Sequence, residues 1–229
     1  KCCGYYYVSV HVLKFYTKIL KLSLQERLYR FRWLKIDHLS TFASHNLTMR
    51  KILIIGAGRS ASSLIRYLLN KSEIEKLHIT IADLSVELAQ KKTQNHANAT
   101  AIALDIFNTE QRQTEIQKAD IVISMLPANL HIEVAKDCLS FNKNMVTASY
   151  ISPQMEALND EAVRKGLVFM NEVGLDPGID HMSAMKVIDE IKDQGGKIIL
   201  FESFCGGLVA PESDNNLWNY KFTWAPRNV

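Results

Sequence analysis

Lys51-Ile52-Leu53-Ile54-Ile55-Gly56-Ala57-Gly58-Arg59-Ser60-Ala61 is the stretch that decides the fold. Four consecutive large apolar residues read as a strand buried on both faces, and the glycines end it in a turn. A helix over 60–70 follows. G-x-G-x-x-A joining a strand to a helix is the turn of a dinucleotide-binding unit. Gly56 permits the tight bend, Gly58 lets a pyrophosphate approach the backbone, and Ala61 lets the helix sit close to the sheet. The unpaired N–H groups of the helix N-terminus then face the phosphates. A second strand over 78–82 leads to Asp83, where an acid accepts hydrogen bonds from an adenosine ribose. A carboxylate there repels a 2′-phosphate and favours NAD, while the nearby Arg59 accommodates a phosphate and keeps NADP open. A structural glycine turn and a methyltransferase-like nucleotide site are the other readings of this motif.

Outward from this turn the strand–helix alternation continues. A helix is expected over 85–95, capped by Ser85 or Asp83. Strands follow over 100–104, 121–124, 145–148 and 167–170. Helices fall between them over 109–118, 130–140 and 153–165, with Pro153 in a first turn where its missing N–H costs nothing. Apolar strands alternating with helices imply an α/β fold, a Rossmann doubly wound parallel sheet covered on both faces. After Met170 the texture changes. A Gly-, Pro- and acid-rich segment over 171–180 precedes a helix over 182–194, a strand over 197–203, a loop over 206–215 and a strand over 220–224. The expected organisation is a nucleotide-binding domain over 49–173, followed over 174–229 by the start of a truncated α/β substrate domain.

The 229 residues are 47% hydrophobic and 22% charged, an ordinary globular composition rather than a disordered or collagenous one. The first 48 residues carry eight Lys and Arg against Glu26 and Asp37, a net +6, so the formal +3 of the whole leaves the remainder at −3. A mildly acidic body does not suggest a nucleic-acid surface. The cysteines, Cys2, Cys3, Cys138 and Cys205, form no CxxC pair, and no metal site is read. The longest apolar stretch, over 5–20, is broken by His11, Lys14 and Lys18, so no membrane partner is expected. Residues 1–48 read as an extension foreign to the rest, non-native or disordered, with a helix over 22–36 if ordered. A basic targeting arm or the tail of a preceding domain are the competing readings. The expected compartment is cytoplasmic, or mitochondrial if that arm is a targeting sequence.

Ligands of doubly wound sheets bind at the carboxyl ends of the strands. Those ends here carry Asp83, Asp105, Ser124-Met-Leu-Pro127, Thr147-Ala-Ser-Tyr150 and the run from Glu172 to His181. In Leu175-Asp-Pro-Gly-Ile-Asp-His181 a Pro-Gly turn aims Asp176 outward. Asp180 also fits a helix N-cap, and His181 a first-turn polar residue. Cys205 and Cys138 read as packed thiols, and His78, His96 and His131 as solvated or locally bonded groups without a role.

Six segments, in order, carry a resemblance: Gly56-Ala-Gly-Arg59, Ser124-Met-Leu-Pro127, Val146-Thr-Ala-Ser-Tyr150, Glu172-Val-Gly-Leu-Asp-Pro-Gly-Ile-Asp-His-Met182, Cys205-Gly-Gly-Leu208 and Tyr220-Lys-Phe-Thr-Trp224. Together they resemble the glutamate-forming saccharopine dehydrogenases, or saccharopine reductases, a unit that also forms the dehydrogenase half of bifunctional aminoadipate semialdehyde synthases. The resemblance covers residues 49–229 and none of 1–48. It implies a nicotinamide-dependent oxidoreductase that converts saccharopine to glutamate and 2-aminoadipate 6-semialdehyde, and a homodimer when full length. It places Arg59, Ser60, Ala61 and Ser62 on the pyrophosphate. Asp83, Leu84 and Ser85 go to the adenosine ribose, and Asp105 and Ile106 lie near the adenine. Leu126, Ala148, Leu175, Asp176 and Pro177 line the nicotinamide side. Ser149, Tyr150 and Asp176 match positions that touch saccharopine.

Asp176 and Tyr150 are then the candidates for orienting the amine, with His181 as a further acid/base candidate. Two departures bear on the cofactor. Ala148 stands where some relatives carry Ser, and Asp83 stands where NADP-dependent fungal relatives lack a carboxylate, which again favours NAD. Family members continue for roughly another domain's length, so this chain reads as a fragment, inactive alone. The alternative functions are an NADP-dependent reductase of lysine biosynthesis and an inactive dinucleotide-binding fragment.

Overall fold

The structure is a computed structural model that describes residues 49–203 and 209–221. The expected extension and helix within 1–48, Cys205, the loop over 206–208 and the end of the strand expected over 220–224 lie outside the described residues.

Six strands form one all-parallel sheet: β1 (Arg50–Ile55), β2 (Leu77–Asp83), β3 (Ala99–Ala103), β4 (Ile121–Ser124), β5 (Asn144–Thr147) and β6 (Phe169–Met170). Their spatial order is β3-β2-β1-β4-β5-β6. The helices are α1 (Ser62–Lys71), α2 (Val86–Thr93), α3 (Thr109–Lys118), α4 (His131–Ser140), α5 (Pro153–Glu156), α6 (Asn159–Arg164) and α7 (Ile179–Asp193).

The central strand explains why the sheet needs both faces covered. Its side chains alternate, so Ile52 and Ile54 pack with Ile65 and Leu69 of α1 and with Ile79 and Ile81 of β2. Leu53 and Ile55 point the other way, onto Ile116 of α3 and Val134, Ala135 and Cys138 of α4. Each fully buried Ile or Leu stabilises the fold by roughly 1.5–3 kcal/mol as an upper bound. A polar residue anywhere in Ile52–Ile55 would face one core or the other, hence the unbroken apolar run.

The strand order reverses between β1 and β4. The chain leaves β1 toward α1 on one face and leaves the 121–124 strand toward α4 on the other, which opens a crevice at the carboxyl ends of these two strands. A buried ion pair joins α3 to α4. Arg112 of α3, 4% exposed, donates to Asp137 of α4 and to the Ile106 carbonyl. Gln113 Nε2 reaches the other Asp137 oxygen at 2.8 Å.

Four expectations differ from the structure. The helix expected over 153–165 is two short helices, because the chain turns at Ala157 and Leu158, whose N–H groups bond to Pro153 and Met155 at 3.1 Å each. The last helix begins at Ile179, three residues earlier than expected, with Gly178 rather than Asp180 at the cap. Asp180 instead sits in the first turn and accepts from the Gly178 N–H at 2.8 Å. Residues 197–203 are not a strand: they pair with no described neighbour, and Ile199 is 92% exposed. A strand needs a ladder partner, which no apolar pattern supplies. Tyr220 and Lys221 are likewise outside any strand. Of the two cap candidates for α2, Ser85 fills the role, accepting from Leu88 N–H at 3.3 Å.

Candidate functional site

The β1–α1 turn is shaped by two glycines with opposite surroundings. Gly56 has φ +107°, and a Cβ on it would lie 2.7 Å from the Met125 carbonyl oxygen at the end of the neighbouring strand. No side chain fits there. Gly58 has open space where its Cβ would stand, with nothing within 4 Å. Ala57 and Ala61 are buried against the α1-side core, so the turn is drawn down onto the sheet while Gly58, Arg59 and Ser60 stay exposed.

Asp83, the last residue of β2, ties this turn in place. One carboxylate oxygen accepts from Ala57 N–H at 2.7 Å and the other from Ser85 N–H at 3.1 Å. Ahead of the turn, α1 has Ala61 at its N-cap and no side-chain cap. Its orphan N–H groups and the positive end of its dipole are therefore offered to an outside anion. The open side of Gly58 and this uncapped end fit the pyrophosphate of a dinucleotide. Ser62 lies half-buried and accepts from Lys92 Nζ at 2.5 Å, which brings a cation from α2 to the same helix end.

The other residues expected around a dinucleotide are spread over the same edge. Leu84 is exposed. Asp105 is exposed and accepts from Phe107 N–H at 2.9 Å, whereas Ile106 turns its side chain into the core. Leu126 packs partly against that core. Ala148 is half-buried under Gly174, whose added Cβ would stand 3.0 Å from the Ala148 Cβ.

On the β5 side, the segment after the strand is laced to the segment after β6. Glu172 N–H donates to the Ser149 carbonyl at 3.0 Å, and Ile151 N–H to Glu172 Oε1 at 3.2 Å. Gly174 N–H donates to the Pro177 carbonyl at 2.9 Å, and Ile179 N–H to the Gly174 carbonyl at 3.0 Å, folding 174–179 into a tight loop. Gly178, at φ +147°, would set a Cβ into the Gly174 carbonyl oxygen, so only glycine closes this loop. The loop leaves Leu175 and Asp176 exposed and Pro177 buried.

These contacts bring three of the expected residues together. Tyr150 hydroxyl donates to Asp176 Oδ1 at 3.3 Å, and Ser149 precedes Tyr150 in the chain. Residual burial, then the carboxylates of Asp176, Asp180 and Glu172, push the Tyr150 phenol above its ordinary value. It is a hydroxyl donor at neutral pH. His181 bonds instead to its neighbour, with Nδ1 at 2.8 Å from Asp180 Oδ1. Burial raises the Asp180 carboxyl, but the hydrogen bonds from His181 and from Gly178 N–H outweigh it and hold it below its ordinary value.

One histidine read as solvated or locally bonded is not solvated. His131, the first residue of α4, is buried, 4% exposed. Its Nδ1 lies 2.8 Å from Ser124 Oγ and its Nε2 2.7 Å from Ser149 Oγ. Burial lowers its pKa, so the ring is neutral at pH 7. The signal available in the sequence was only its position, seven residues after Ser124 at the start of the following helix. Among the described residues, no group of three or more His, Cys, Asp or Glu is placed to hold a metal, and no helix is long and apolar enough to cross a membrane.

Two family models match the chain. The saccharopine dehydrogenase NADP binding domain matches residues 52–170, and the saccharopine dehydrogenase C-terminal domain matches 174–229. The saccharopine dehydrogenase [NADP(+), L-glutamate-forming] of Schizosaccharomyces pombe is 39% identical over 181 residues, covering 79% of this chain and 40% of that protein. The mitochondrial alpha-aminoadipic semialdehyde synthase of Rattus norvegicus is 39% identical over 183 residues, covering 80% of this chain and 19% of that one. Among solved structures, apo saccharopine dehydrogenase (L-Glu forming) from Saccharomyces cerevisiae superposes with a TM-score of 0.66 at 38% identity, covering 78% of this chain and 39% of the other. The chain thus spans about 40% of the length of the fungal relatives it matches. A family match over more than half of the chain, on a parallel sheet with the Gly56–Ala61 turn at its switch point, places it: the chain belongs to the saccharopine dehydrogenase family.

Proposed function

We propose that this chain contributes the nucleotide-binding part, and the beginning of the substrate-binding part, of an oxidoreductase that oxidises saccharopine to L-glutamate and 2-aminoadipate 6-semialdehyde. Residues 49–173 form the first part and 174–229 open the second. The carrying observation is that the Ser149–Tyr150–Asp176 group and the Gly56–Ala61 turn lie on one edge of one parallel sheet, at its strands' carboxyl ends.

In this reading the exposed Gly58–Ser60 turn, the backbone onward to Ser62 and the N-terminus of α1 hold the pyrophosphate, Asp83 to Ser85 meet the adenosine ribose, Asp105 and Ile106 lie by the adenine, and Leu126, Ala148 and Leu175–Pro177 line the nicotinamide. A bound nicotinamide would supply the acceptor for the hydride lost from the carbon beside the secondary amine as that amine gives up its proton, leaving a substrate imine open to cleavage by water. Asp176 accepts a hydrogen bond from that amine and orients it. Tyr150, kept protonated, donates its one hydroxyl proton to Asp176, holds that carboxylate in place and offers its oxygen as an acceptor to the substrate. His181 is paired to Asp180 rather than to this group and is the weaker acid/base candidate.

The finer cofactor assignment, NAD, rests on the Asp83 carboxylate, which would face a 2′-phosphate. Arg59 and Lys92 act in the opposite sense, as do the NADP names of the fungal relatives. An NADP-dependent reductase of lysine biosynthesis is the second reading those names favour. A homodimeric full-length protein, without nucleic-acid or membrane partners, completes the proposal. The compartment is cytoplasmic, or mitochondrial if residues 1–48 serve as a targeting arm, as the name of the rat relative suggests.

The test is reduction of nicotinamide on addition of saccharopine to the full-length protein, with NAD and NADP in parallel. Saccharopine-dependent reduction of NAD supports the degradative reading. Preference for NADP overturns the role given to Asp83 and turns the reaction toward biosynthesis. Cofactor binding without turnover refutes the substrate assignment.

A further inference from the structure

His131 is a buried titratable group that the mechanism above does not use, and its hydrogen bonds can be counted. Ser124 Oγ is fully buried, and among the described residues its hydrogen-bond partner is His131 Nδ1 at 2.8 Å. A serine hydroxyl has one proton to donate, and a neutral imidazole has one N–H and one acceptor nitrogen. If Nδ1 carried the proton, Ser124 would accept and its own O–H would be left in the core with no acceptor. The satisfied arrangement has Ser124 donating to Nδ1 and the ring proton on Nε2. That proton then points at Ser149 Oγ, 2.7 Å away. Thr147 Oγ1, at 3.4 and 3.3 Å from the two ring nitrogens, is a secondary neighbour. Ser149 is half-buried, unlike Ser124, and lies two residues past the end of β5, where the sheet's carboxyl ends open. With its oxygen already accepting from Nε2–H, Ser149 is free to donate its own proton.

We propose that His131 is a positioning residue: the Ser124–His131–Ser149 chain sets Ser149 as a hydrogen-bond donor to a carboxylate oxygen of the amino-acid substrate. This rests on the reading of Ser149 as a substrate residue and deepens it by fixing the polarity of the contact. A donor suits a substrate rich in carboxylates, and it disfavours an ammonium group at the same spot. The nicotinamide carboxamide oxygen is the other acceptor that could meet such a donor, and the two are separated by the variants below.

The full-length protein labelled with 15N-histidine gives the first readout, which needs no activity. At neutral pH the expected His131 pattern is a pyrrole-type Nε2 and a pyridine-type Nδ1; the reverse assignment overturns the proposal. The second readout is kinetic. His131→Asn keeps an amide near the Nδ1 position and loses Ser149, and should raise the KM for saccharopine about 10-fold, the effect of one hydrogen bond to a charged group. The dissociation constant of the cofactor should stay within about twofold. His131→Gln, whose amide reaches the Nε2 position, should restore most of the KM. Ser149→Ala should match His131→Asn, and the double variant should be no worse than either single one. Additive effects, or a weakened cofactor with an unchanged saccharopine KM, overturn the proposal. If His131→Asn does not fold, His131→Gln and the nitrogen spectrum decide it. Absence of saccharopine turnover in the wild type refutes the proposed function, and the spectrum still decides whether Ser149 is held as a donor.

Discussion

Replacing each glycine of the β1–α1 turn by alanine separates the two tasks of the motif. In Gly56→Ala the new Cβ lies 2.7 Å from the Met125 oxygen and 2.9 Å from its carbonyl carbon, both backbone atoms that cannot swing away. The φ of +107° adds a conformational penalty of roughly 1–3 kcal/mol. Overpacking contributes a further ~1–3 kcal/mol. The sum, about 2–6 kcal/mol, is a large share of the stability of a domain. In Gly58→Ala the Cβ meets nothing within 4 Å, and a glycine outside the left-handed region gains up to ~1 kcal/mol from a stiffer unfolded chain. The same Cβ stands on the open face offered to the pyrophosphate, so cofactor affinity should fall about 10- to 100-fold. Urea unfolding with a slope near ~2 kcal/mol/M should show Gly56→Ala shifted down by about 1–3 M. Gly58→Ala should be unchanged or slightly up, and reduced-nicotinamide fluorescence should show its weakened binding. Wild-type cofactor affinity in Gly58→Ala, with the fold intact, would refute the placement of the pyrophosphate on this turn.

Other consequences follow from groups buried away from the turn. Arg112→Met leaves Asp137 and the Ile106 carbonyl without their cation and should cost about 3–5 kcal/mol in urea unfolding. Burial, reinforced by the Asp137 carboxylate, pushes the Cys138 thiol up to about 12. Mass spectrometry of the Cys138 peptide should therefore find it unlabelled by thiol reagents in the native protein at pH 8 and labelled in denaturant. Burial also lowers the His131 pKa, so below the unfolded value of about 6.5 the unfolded chain binds a proton that the native state refuses. Stability should be fully present above that pH and fall as pH drops through the folded pKa, by at most about 1.4 kcal/mol per pH unit, with His131→Gln lacking this component in urea titrations at pH 7.5 and 5.5. Tyr150→Phe removes the hydroxyl that donates to Asp176 and should lower saccharopine turnover about 10-fold with cofactor affinity unchanged.

What could be read ahead of the structure follows from how local each feature is. The run Ile52–Ile55 declares a doubly buried strand because its four neighbours in sequence must face two cores, and the Gly56–Ala61 turn carries its geometry in adjacent residues. The same holds for the tight loop ending at Gly178, where only glycine closes the turn. A strand over 197–203 has the right side chains, but pairing is a relation between segments, and Ile199, Leu200 and Phe201 are left exposed without it. Arg112 looks like one more polar residue of a polar helix until α4 brings Asp137 against it. His131 is the clearest case. Three serine and threonine partners come from the ends of two strands and the loop beyond, so its isolation in the sequence says nothing of its surroundings. Buried polar groups are satisfied by long-range neighbours because a local partner would compete with the helix or strand that carries them. Ser124, Thr147 and Ser149 are polar positions at or just beyond the ends of apolar strands, and such positions converge wherever parallel strands end together. A lone histidine at the start of the helix after one of those strands is therefore best read with all the strand ends in view, and that convergence ties the α4 N-terminus to Ser149 at the carboxyl edge of the sheet.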